Sequence, residues 1–223
     1  MTVVAIDGPS GAGKSTVGYA LAQRIDATFV DTGLMYRALT LAALQRGIEL
    51  GDGPGLGSLA ADCRIEVERP RPDQSDRHET VLLDGRDVTL EVREPRVDRA
   101  VSAVSRHAEV RDAMLGVQRA SALRGDVVMV GRDIGTVVLP DASLKVYLTA
   151  AAEVRAARRA AEMGTPDRIG AYLDEIRRRD AADSGRDVAP LRIPPGALVL
   201  DSGELDVAAC VQAIINRLEA HRA

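Results

Sequence analysis

The chain has 223 residues, of which 46% are hydrophobic, and a formal net charge of −4. This length suits one sizeable α/β domain with small insertions, and the hydrophobic content excludes a wholly disordered chain. The negative charge and the aromatic content of 2% argue against a nucleic-acid partner, which would need a basic surface or base-stacking side chains.

Apolar strand patterns alternate with helical patterns along most of the chain. The strand patterns cover residues 3–6, 28–30, 126–130, 144–148 and 197–200. The helical patterns cover residues 15–24, 35–46, 97–108, 108–123, 152–162, 166–181 and 207–221. This alternation predicts an α/β fold in which helices flank a parallel sheet.

The first strand pattern leads into a glycine-rich loop. Residues 8–15 read GPSGAGKS and match the phosphate-binding pattern G-x-x-x-x-G-K-S/T, in its required place between a strand and a helix. The glycines let the backbone approach a phosphate, and the amides and the helix N-terminus attract it. A chance match is improbable because the chain has only two lysines, Lys14 and Lys145. We expect Lys14 to reach the β- and γ-phosphates and Ser15 to ligate Mg²⁺.

A second anion site is indicated where the strand pattern 28–30 ends. Asp31 and Thr32 follow it, and Arg37 lies at the start of the next helical pattern. A hydroxyl and an arginine near a helix N-terminus suit an anion. Ordinary capping of the helix by Asp31 or Thr32 is the alternative, and the two roles can coexist.

Residues 64–89 break the alternation. Residues 64–68 alternate polar with apolar, residues 69–78 form a polar loop with prolines, and Asp84-Gly85 is a hairpin signal. We therefore predict a small antiparallel β insert at 64–89, with residues 1–63 and 90–223 forming the core. Such an insert usually belongs to a substrate-binding lobe; a solvent-facing decoration is the alternative.

The strand pattern 126–130 is followed by Gly131, Arg132 and Asp133. Because parallel sheets bind ligands at the carboxyl ends of their strands, Arg132 and Asp133 should face the same cleft as the glycine loop. The alternative is a buried turn held together by an Arg–Asp pair.

Residues 155–192 contain nine arginines with acidic residues between them. The pattern predicts a helical lid that closes over phosphates, with Arg155, Arg158, Arg159 and Arg177 as candidates. A solvated face of salt bridges is the alternative.

Other features narrow the class of protein. Its single asparagine, Asn216, precedes Arg217, so the guanine-reading N-K-x-D motif is absent from the sequence. Cys63 and Cys210 are far apart and are expected to be buried free thiols. No apolar run reaches the length of a membrane span, and we expect a cytoplasmic protein.

The sequence resembles the bacterial cytidylate kinases, which are nucleoside monophosphate kinases of the P-loop group. The resembling segments are IDGPSGAGKST (6–16), DTGLMYR (31–37), DGRDVTLEVR (84–93), VSAVSRHAEVR (101–111), GRDIGTVVLPDASLKVYLTA (131–150), RRRD (177–180) and VAPL (188–191). The resemblance implies transfer of the γ-phosphoryl group of ATP to CMP or dCMP, with Mg²⁺. We expect the chain to act as a monomer.

The resemblance also implies roles for individual residues. The ATP-binding residues would be Gly8, Pro9, Ser10, Gly11, Ala12, Gly13, Lys14, Ser15 and Thr16. Thr32, Arg37 and Arg132 match positions that hold the acceptor phosphate. Ser102, Arg111, Asp133 and Arg186 match positions that contact cytosine, and Arg179 and Asp183 match positions near the sugar. Lys14, Arg132, Arg158 and Arg177 would be catalytic.

Two positions depart from the family pattern. Thr32 replaces a common serine and keeps the hydroxyl, whereas Val130 stands where an acidic residue is common. If that acid organises Mg²⁺, Asp7 or Asp133 would have to serve instead.

Another small-molecule kinase, acting on UMP, dTMP or shikimate, is the nearest alternative function, and a nucleotide-switched regulatory protein is a more distant one.

Overall fold

The computed structural model describes residues 1–74, 77–123 and 125–222. Within them the chain forms two compact units. The first comprises Met1–Ala27 and Val128–Ala223, and the second comprises Thr28–Val127. The predicted insert, residues 64–89, lies inside the second unit.

The strands in chain order are β1 (Val3–Asp7), β2 (Thr28–Asp31), β3 (Ile65–Glu68), β4 (Thr80–Leu83), β5 (Arg86–Asp87), β6 (Val127–Gly131), β7 (Leu144–Thr149) and β8 (Leu198–Asp201). The helices are α1 (Lys14–Arg24), α2 (Thr32–Arg46), α3 (Gly53–Asp62), α4 (Pro95–Ser105), α5 (Ala108–Ala122), α6 (Ala152–Glu162), α7 (Ile169–Ser184) and α8 (Val207–Arg222). Short 3₁₀ turns cover Pro72–Gln74, Glu91–Arg93 and Pro166–Arg168, and a single π-helical turn covers Ile134–Val138.

The first unit is built on parallel strands in the order β6-β1-β7-β8. Val4 is in register with Leu144, and Val146 is in register with Leu198. Helix α1 contacts β1 and α8, α8 contacts β7, and α6 packs against α7. Continuous apolar strands are typical of parallel sheets that are covered on both faces, so the predicted fold class is confirmed.

The second unit contains the three-stranded antiparallel sheet β3-β4-β5. Ile65 pairs with Leu83, and Leu83 also pairs with Arg86. The turn residues Asp84 and Gly85 both have positive φ, at 52° and 81°, which is the geometry of a tight hairpin turn. The predicted small antiparallel sheet is therefore confirmed. Residues 75 and 76 of its predicted loop lie outside the described residues.

Helix α3 was not predicted from the sequence, because its glycines and proline give it a low helix propensity. Asp52 caps it by accepting a hydrogen bond from the Gly55 amide at 3.0 Å. Helix α5 packs against it so closely that a Cβ on Gly57 would lie 2.7 Å from the Cβ of Glu109. Tertiary packing thus stabilises a helix that local propensity disfavours.

The structure also describes the two cysteines, the helix predicted at 166–181 and the lengths of the helices. Cys63 and Cys210 are buried free thiols, as predicted, and burial raises the pKa of each. The predicted helix 166–181 is a 3₁₀ turn followed by α7. None of the helices within the described ranges is both long and apolar enough to span a bilayer.

Candidate active site

The predicted phosphate-binding loop joins β1 to α1 in the first unit. Gly8, Gly11 and Gly13 have φ values of 152°, 76° and 81°, where a side chain is strained. At Gly8 a Cβ would also lie only 2.0 Å from the carbonyl oxygen of Leu148. The loop therefore presses its backbone against the end of β7, and glycine is required there.

Lys14 is the first residue of α1, and its side chain is buried. Its ammonium group donates a hydrogen bond to the carbonyl oxygen of Pro9, at 2.7 Å, across the loop. Ser15 and Thr16 are exposed on the first turn of the helix. The loop and the first turn of α1 thus bring together one cation, two hydroxyl groups and a helix N-terminus, which together suit a polyphosphate.

Arg155 of α6, a candidate for the lid, supports this loop in the structure and is only 4% exposed. Its guanidinium donates to the carbonyl oxygens of Ala150 and Ser10, both at 2.9 Å, and to the carboxylate of Asp180 at 2.7 Å. Its Cβ lies 3.2 Å from where a Cβ on Gly11 would be. Arg155 therefore ties the loop to α7.

The other lid candidates are more accessible and also have partners. Arg158 donates to the hydroxyl and the carbonyl oxygen of Ser202, and that hydroxyl donates to the carbonyl oxygen of Ala12 in the loop at 2.9 Å. Arg177 on α7 forms an exposed ion pair with Glu153 on α6 at 2.8 Å. Arg159 pairs with Glu162 at 3.7 Å.

Asp7, the last residue of β1, is completely buried. Its two carboxylate oxygens accept hydrogen bonds from the backbone amides of Ile134 and Gly135, each at 2.7 Å. Burial raises the pKa of Asp7 to about 6, with a contribution from the negative charge of Asp133; the two amides and Lys14 act in the opposite direction. Because both oxygens are engaged inside the protein, Asp7 is poorly placed to replace the missing acid as a Mg²⁺ ligand.

Three of the predicted substrate-binding residues form one cluster in the first unit. Asp183 of α7 accepts a hydrogen bond from Arg132 at 2.9 Å and one from Arg186 at 2.9 Å. All three side chains are largely buried. Asp133 is buried at the end of β6, and Arg179 is half-buried on α7. Arg132 thus has an acidic partner, Asp183, that the sequence pattern did not pair with it.

The start of α2 in the second unit carries two further candidates. The Asp31 carboxylate accepts a hydrogen bond from the Gly33 amide at 2.9 Å, so the capping role considered for it is confirmed. Thr32 is buried at the first helical position. One turn later, Arg37 donates to the carbonyl oxygen of Val92 at 3.2 Å and forms an ion pair with Asp98.

Ser102 and Arg111 lie on α4 and α5 of the second unit. Ser102 is exposed. Arg111 is buried; it donates to the carbonyl oxygen of Ser105 at 3.1 Å, and its guanidinium carbon lies 5.5 Å from the centre of the Tyr36 ring. That stacking distance suits a cation–π contact, which fixes the plane of the guanidinium group.

Glu79 was missed by sequence reasoning, since a single glutamate before an apolar strand carries no signal. It is only 2% exposed and accepts a hydrogen bond from the Asp31 amide at 2.8 Å. Burial raises the pKa of Glu79 to about 8, and the negative charge of Asp31 adds to the shift, while Arg93 opposes it. Glu79 therefore links the β insert to the start of α2 and is mostly protonated at neutral pH.

This pKa makes stability depend on pH. Between the ordinary glutamate value of 4.5 and about 8, the folded chain binds more protons than the unfolded chain, so the free energy of unfolding should fall as pH rises through that window. Glu79→Gln keeps an acceptor for the Asp31 amide and cannot ionise. We expect it to stabilise the protein by about 4 kcal/mol at pH 8.5 and by little at pH 5 in urea unfolding.

Glu68→Gln provides the control, because Glu68 lies exposed on β3 of the same sheet. Its stability should follow that of the wild type at both pH values. Equal effects of Glu79→Gln at pH 5 and pH 8.5 would show that Glu79 does not titrate in this window.

Both the sequence and the fold are similar to those of known proteins. The family model described as cytidylate kinase matches residues 4–220. A cytidylate kinase from Pelotomaculum thermopropionicum is 43% identical over 222 residues, covering 98% of this chain and 96% of that protein. A cytidylate kinase from Mycobacterium avium is 48% identical over 207 residues, covering 91% of this chain and 89% of the relative. A crystal structure of an uncharacterized protein from Eubacterium ventriosum aligns with a TM-score of 0.54 at 11% identity, over 99% of each chain, and supports the fold alone.

Proposed function

The chain belongs to the cytidylate kinase family, and on that premise we propose that it transfers the γ-phosphoryl group of ATP to CMP or dCMP, giving ADP and CDP or dCDP. The observation that carries the proposal is the family match over residues 4–220, which includes an intact phosphate-binding loop. The enzyme is a nucleoside monophosphate kinase, and the assignments of individual residues below are our proposal.

The donor, ATP, binds through the loop of residues 8–16 in this proposal. The backbone amides of the loop and the N-terminus of α1 hold the phosphate oxygens. Lys14 exchanges its hydrogen bond to the Pro9 carbonyl for the β- and γ-phosphates, where its charge opposes the negative charge that develops during transfer. Arg155 stabilises the conformation of the loop through its hydrogen bond to the carbonyl oxygen of Ser10.

The exposed hydroxyl of Ser15 is the protein ligand proposed for Mg²⁺. Among residues 1–74, 77–123 and 125–222, no group of three or more His, Cys, Asp or Glu side chains is arranged to hold a metal. This fits Mg²⁺, which keeps several water molecules and is usually held by one or two protein groups together with substrate phosphates. When bound, it supplies positive charge against the phosphate oxygens.

The acceptor is held mainly by arginines. We assign its phosphate to Thr32, Arg37 and Arg132, its base to Ser102, Arg111, Asp133 and Arg186, and its sugar to Arg179 and Asp183. Arg37 and Arg132 already pair with Asp98 and Asp183 respectively, so their guanidinium groups are positioned before a phosphate arrives. Arginine suits this task because it stays charged and binds phosphate through two hydrogen bonds.

The attacking atom is an oxygen of the acceptor phosphate. The second pKa of a phosphate monoester is about 6, so this oxygen is already deprotonated at neutral pH and needs no general base. The main obstacle is repulsion between two anions. Arg158 and Arg177 of the proposed lid would reduce this repulsion by leaving Ser202 and Glu153 for the transferred phosphoryl group, and lid closure would exclude water.

The proposal assigns the whole reaction to one chain that acts as a monomer, since donor and acceptor residues all come from it. The two buried free thiols favour a reducing compartment, and we propose the cytoplasm.

A panel of acceptors tests the proposed function. We expect ADP release from ATP to be stimulated by CMP and dCMP, at kcat/KM values at least about 100-fold above those for UMP, dTMP or shikimate, because only cytosine offers an amino group to Asp133. The assay couples ADP production to a chromogenic reaction. Preference for UMP, dTMP or shikimate would show that the chain is a kinase for that acceptor. Slow hydrolysis of ATP without stimulation by any acceptor would favour a nucleotide-switched protein.

A further inference from the structure

Asp7 lies beside two segments that the proposed function uses. Gly8, the first residue of the phosphate-binding loop, follows it directly in the chain. Its two hydrogen-bond donors, Ile134 and Gly135, directly follow Arg132 and Asp133, which are proposed to bind the acceptor. A carboxylate at the end of β1 thus connects the donor loop with the acceptor-binding turn, 127 residues further along the chain.

The local backbone explains why this turn needs an external partner. Asp133, which lies between β6 and the π-helical turn Ile134–Val138, has φ −143° and ψ 25°. Within that turn the amides of Val137 and Val138 both donate to the carbonyl oxygen of Asp133, at 2.9 and 3.1 Å. The first amides of a helical turn have no acceptor within it, and Asp7 supplies one oxygen to each of them.

The two hydrogen bonds that Asp7 accepts from Ile134 and Gly135 are strong. Both donor–acceptor distances are 2.7 Å, the short end of the range for amide hydrogen bonds, and the carboxylate is shielded from water. An ionised carboxylate can accept at both oxygens at once, whereas an amide side chain can accept at only one. The site therefore specifically suits aspartate.

We propose that Asp7 is a positioning residue for the phosphoryl-transfer reaction: by fixing the backbone of Ile134 and Gly135, it places Arg132 and Asp133 for the acceptor relative to the donor loop that begins at Gly8. The inference rests on the proposed function, because it takes Arg132 and Asp133 to be the acceptor-binding residues. Asp7 itself is not proposed to touch either substrate, because it is buried and both of its oxygens are engaged by backbone amides.

Asp7→Asn is the central test. Asparagine keeps one acceptor oxygen, but its NH₂ group faces the second backbone amide, so one hydrogen bond is replaced by contact between two donors. We expect KM for CMP to rise about 10-fold and the ratio of kcat/KM for CMP to that for UMP to fall about 10-fold, which corresponds to about 1.4 kcal/mol. Binding of a non-hydrolysable ATP analogue, measured by calorimetry, should change less than about 2-fold, because the loop keeps its glycine geometry and Arg155.

Asp201→Asn is the matched control. Asp201 also ends a parallel strand of the same sheet, and its carboxylate accepts a hydrogen bond from a nearby backbone amide, that of Gly203, at 2.7 Å. Only one of its oxygens is used in that bond, so asparagine can preserve it. The KM for CMP, the ratio of kcat/KM for CMP to that for UMP, and the binding of the ATP analogue should all match those of the wild type.

Wild-type KM and base preference in a folded Asp7→Asn protein would overturn the inference. Equal losses in ATP-analogue binding and CMP binding would also overturn it, since they would indicate a general structural role. If the variant does not fold, amide hydrogen exchange in the wild type decides: the Ile134 and Gly135 amides should be strongly protected without nucleotides, and rapid exchange there would refute the contact. A wild type that does not phosphorylate CMP would instead refute the proposed function.

Discussion

Replacing Lys14 with alanine is expected to lower kcat/KM for phosphoryl transfer from ATP to CMP by about 10³-fold. Lys14 is the one cation that the loop itself carries, and its ammonium group is within hydrogen-bonding distance of the loop backbone. Its charge is needed most in the transition state, when negative charge spreads over the transferred phosphoryl group. Its hydrogen bond to Pro9 lies within the loop and not in the sheet, so we expect the variant to stay folded by circular dichroism and thermal unfolding.

Arg24→Ala is a suitable control for the Lys14 variant. Arg24 lies exposed at the other end of the same helix, α1, and its replacement also removes one positive charge. The kcat/KM of this variant should stay within about 2-fold of the wild type, because Arg24 lies at the end of α1 that is remote from the loop. The loss of a charge at a helix end also changes stability only slightly. Unchanged turnover in Lys14→Ala, or similar losses in the two variants, would contradict the role given to the loop.

Asp133→Ala is expected to reduce the preference for CMP over UMP by about 100-fold in kcat/KM. Cytosine presents an amino group that donates to a carboxylate, whereas uracil presents a carbonyl oxygen that a carboxylate repels. Asp133 is buried, so this discrimination takes place away from water, where it is strongest. Loss of the carboxylate removes both the attraction for CMP and the repulsion of UMP.

Asp133→Asn separates charge from shape at the same position. Its amide group can present either an oxygen or an NH₂ group, so we expect UMP phosphorylation to increase relative to wild type. Asp141→Ala, an exposed aspartate in the connection between β6 and β7, serves as the control and should leave the preference unchanged. An unaltered CMP-to-UMP ratio in both Asp133 variants would exclude Asp133 from base recognition.

The features that the sequence predicted well have local causes. The glycine loop needs backbone conformations that glycine permits, and the same residues carry the phosphate-binding pattern, so residues 8–15 reveal both structure and ligand class. The hairpin at Asp84-Gly85 is similarly encoded by two neighbouring residues with positive φ. Buried strands such as β6, whose five residues are all buried, read as apolar runs. In that strand Val130 is simply part of the apolar core.

The features that the sequence could not reveal depend on distant partners. Arg155 belongs to an arginine-rich stretch that looks solvated, yet it is buried against Ser10 and Asp180. Asp7 meets its two amide donors only after the sheet has formed, and Glu79 meets the Asp31 amide only after the β insert has packed. A single charged residue leaves no periodic pattern in the sequence. Its contacts with residues far away in the chain can therefore be seen only in the structure.

The fate of the γ-phosphoryl group of ATP decides whether this chain phosphorylates CMP. With ATP labelled at the γ-phosphate and CMP as acceptor, we expect the label to appear in the β-phosphate of CDP, with one ADP formed for each CDP and negligible inorganic phosphate. Release of the label as inorganic phosphate at a rate independent of CMP, or its retention on the protein without transfer to CMP, would refute the proposed function.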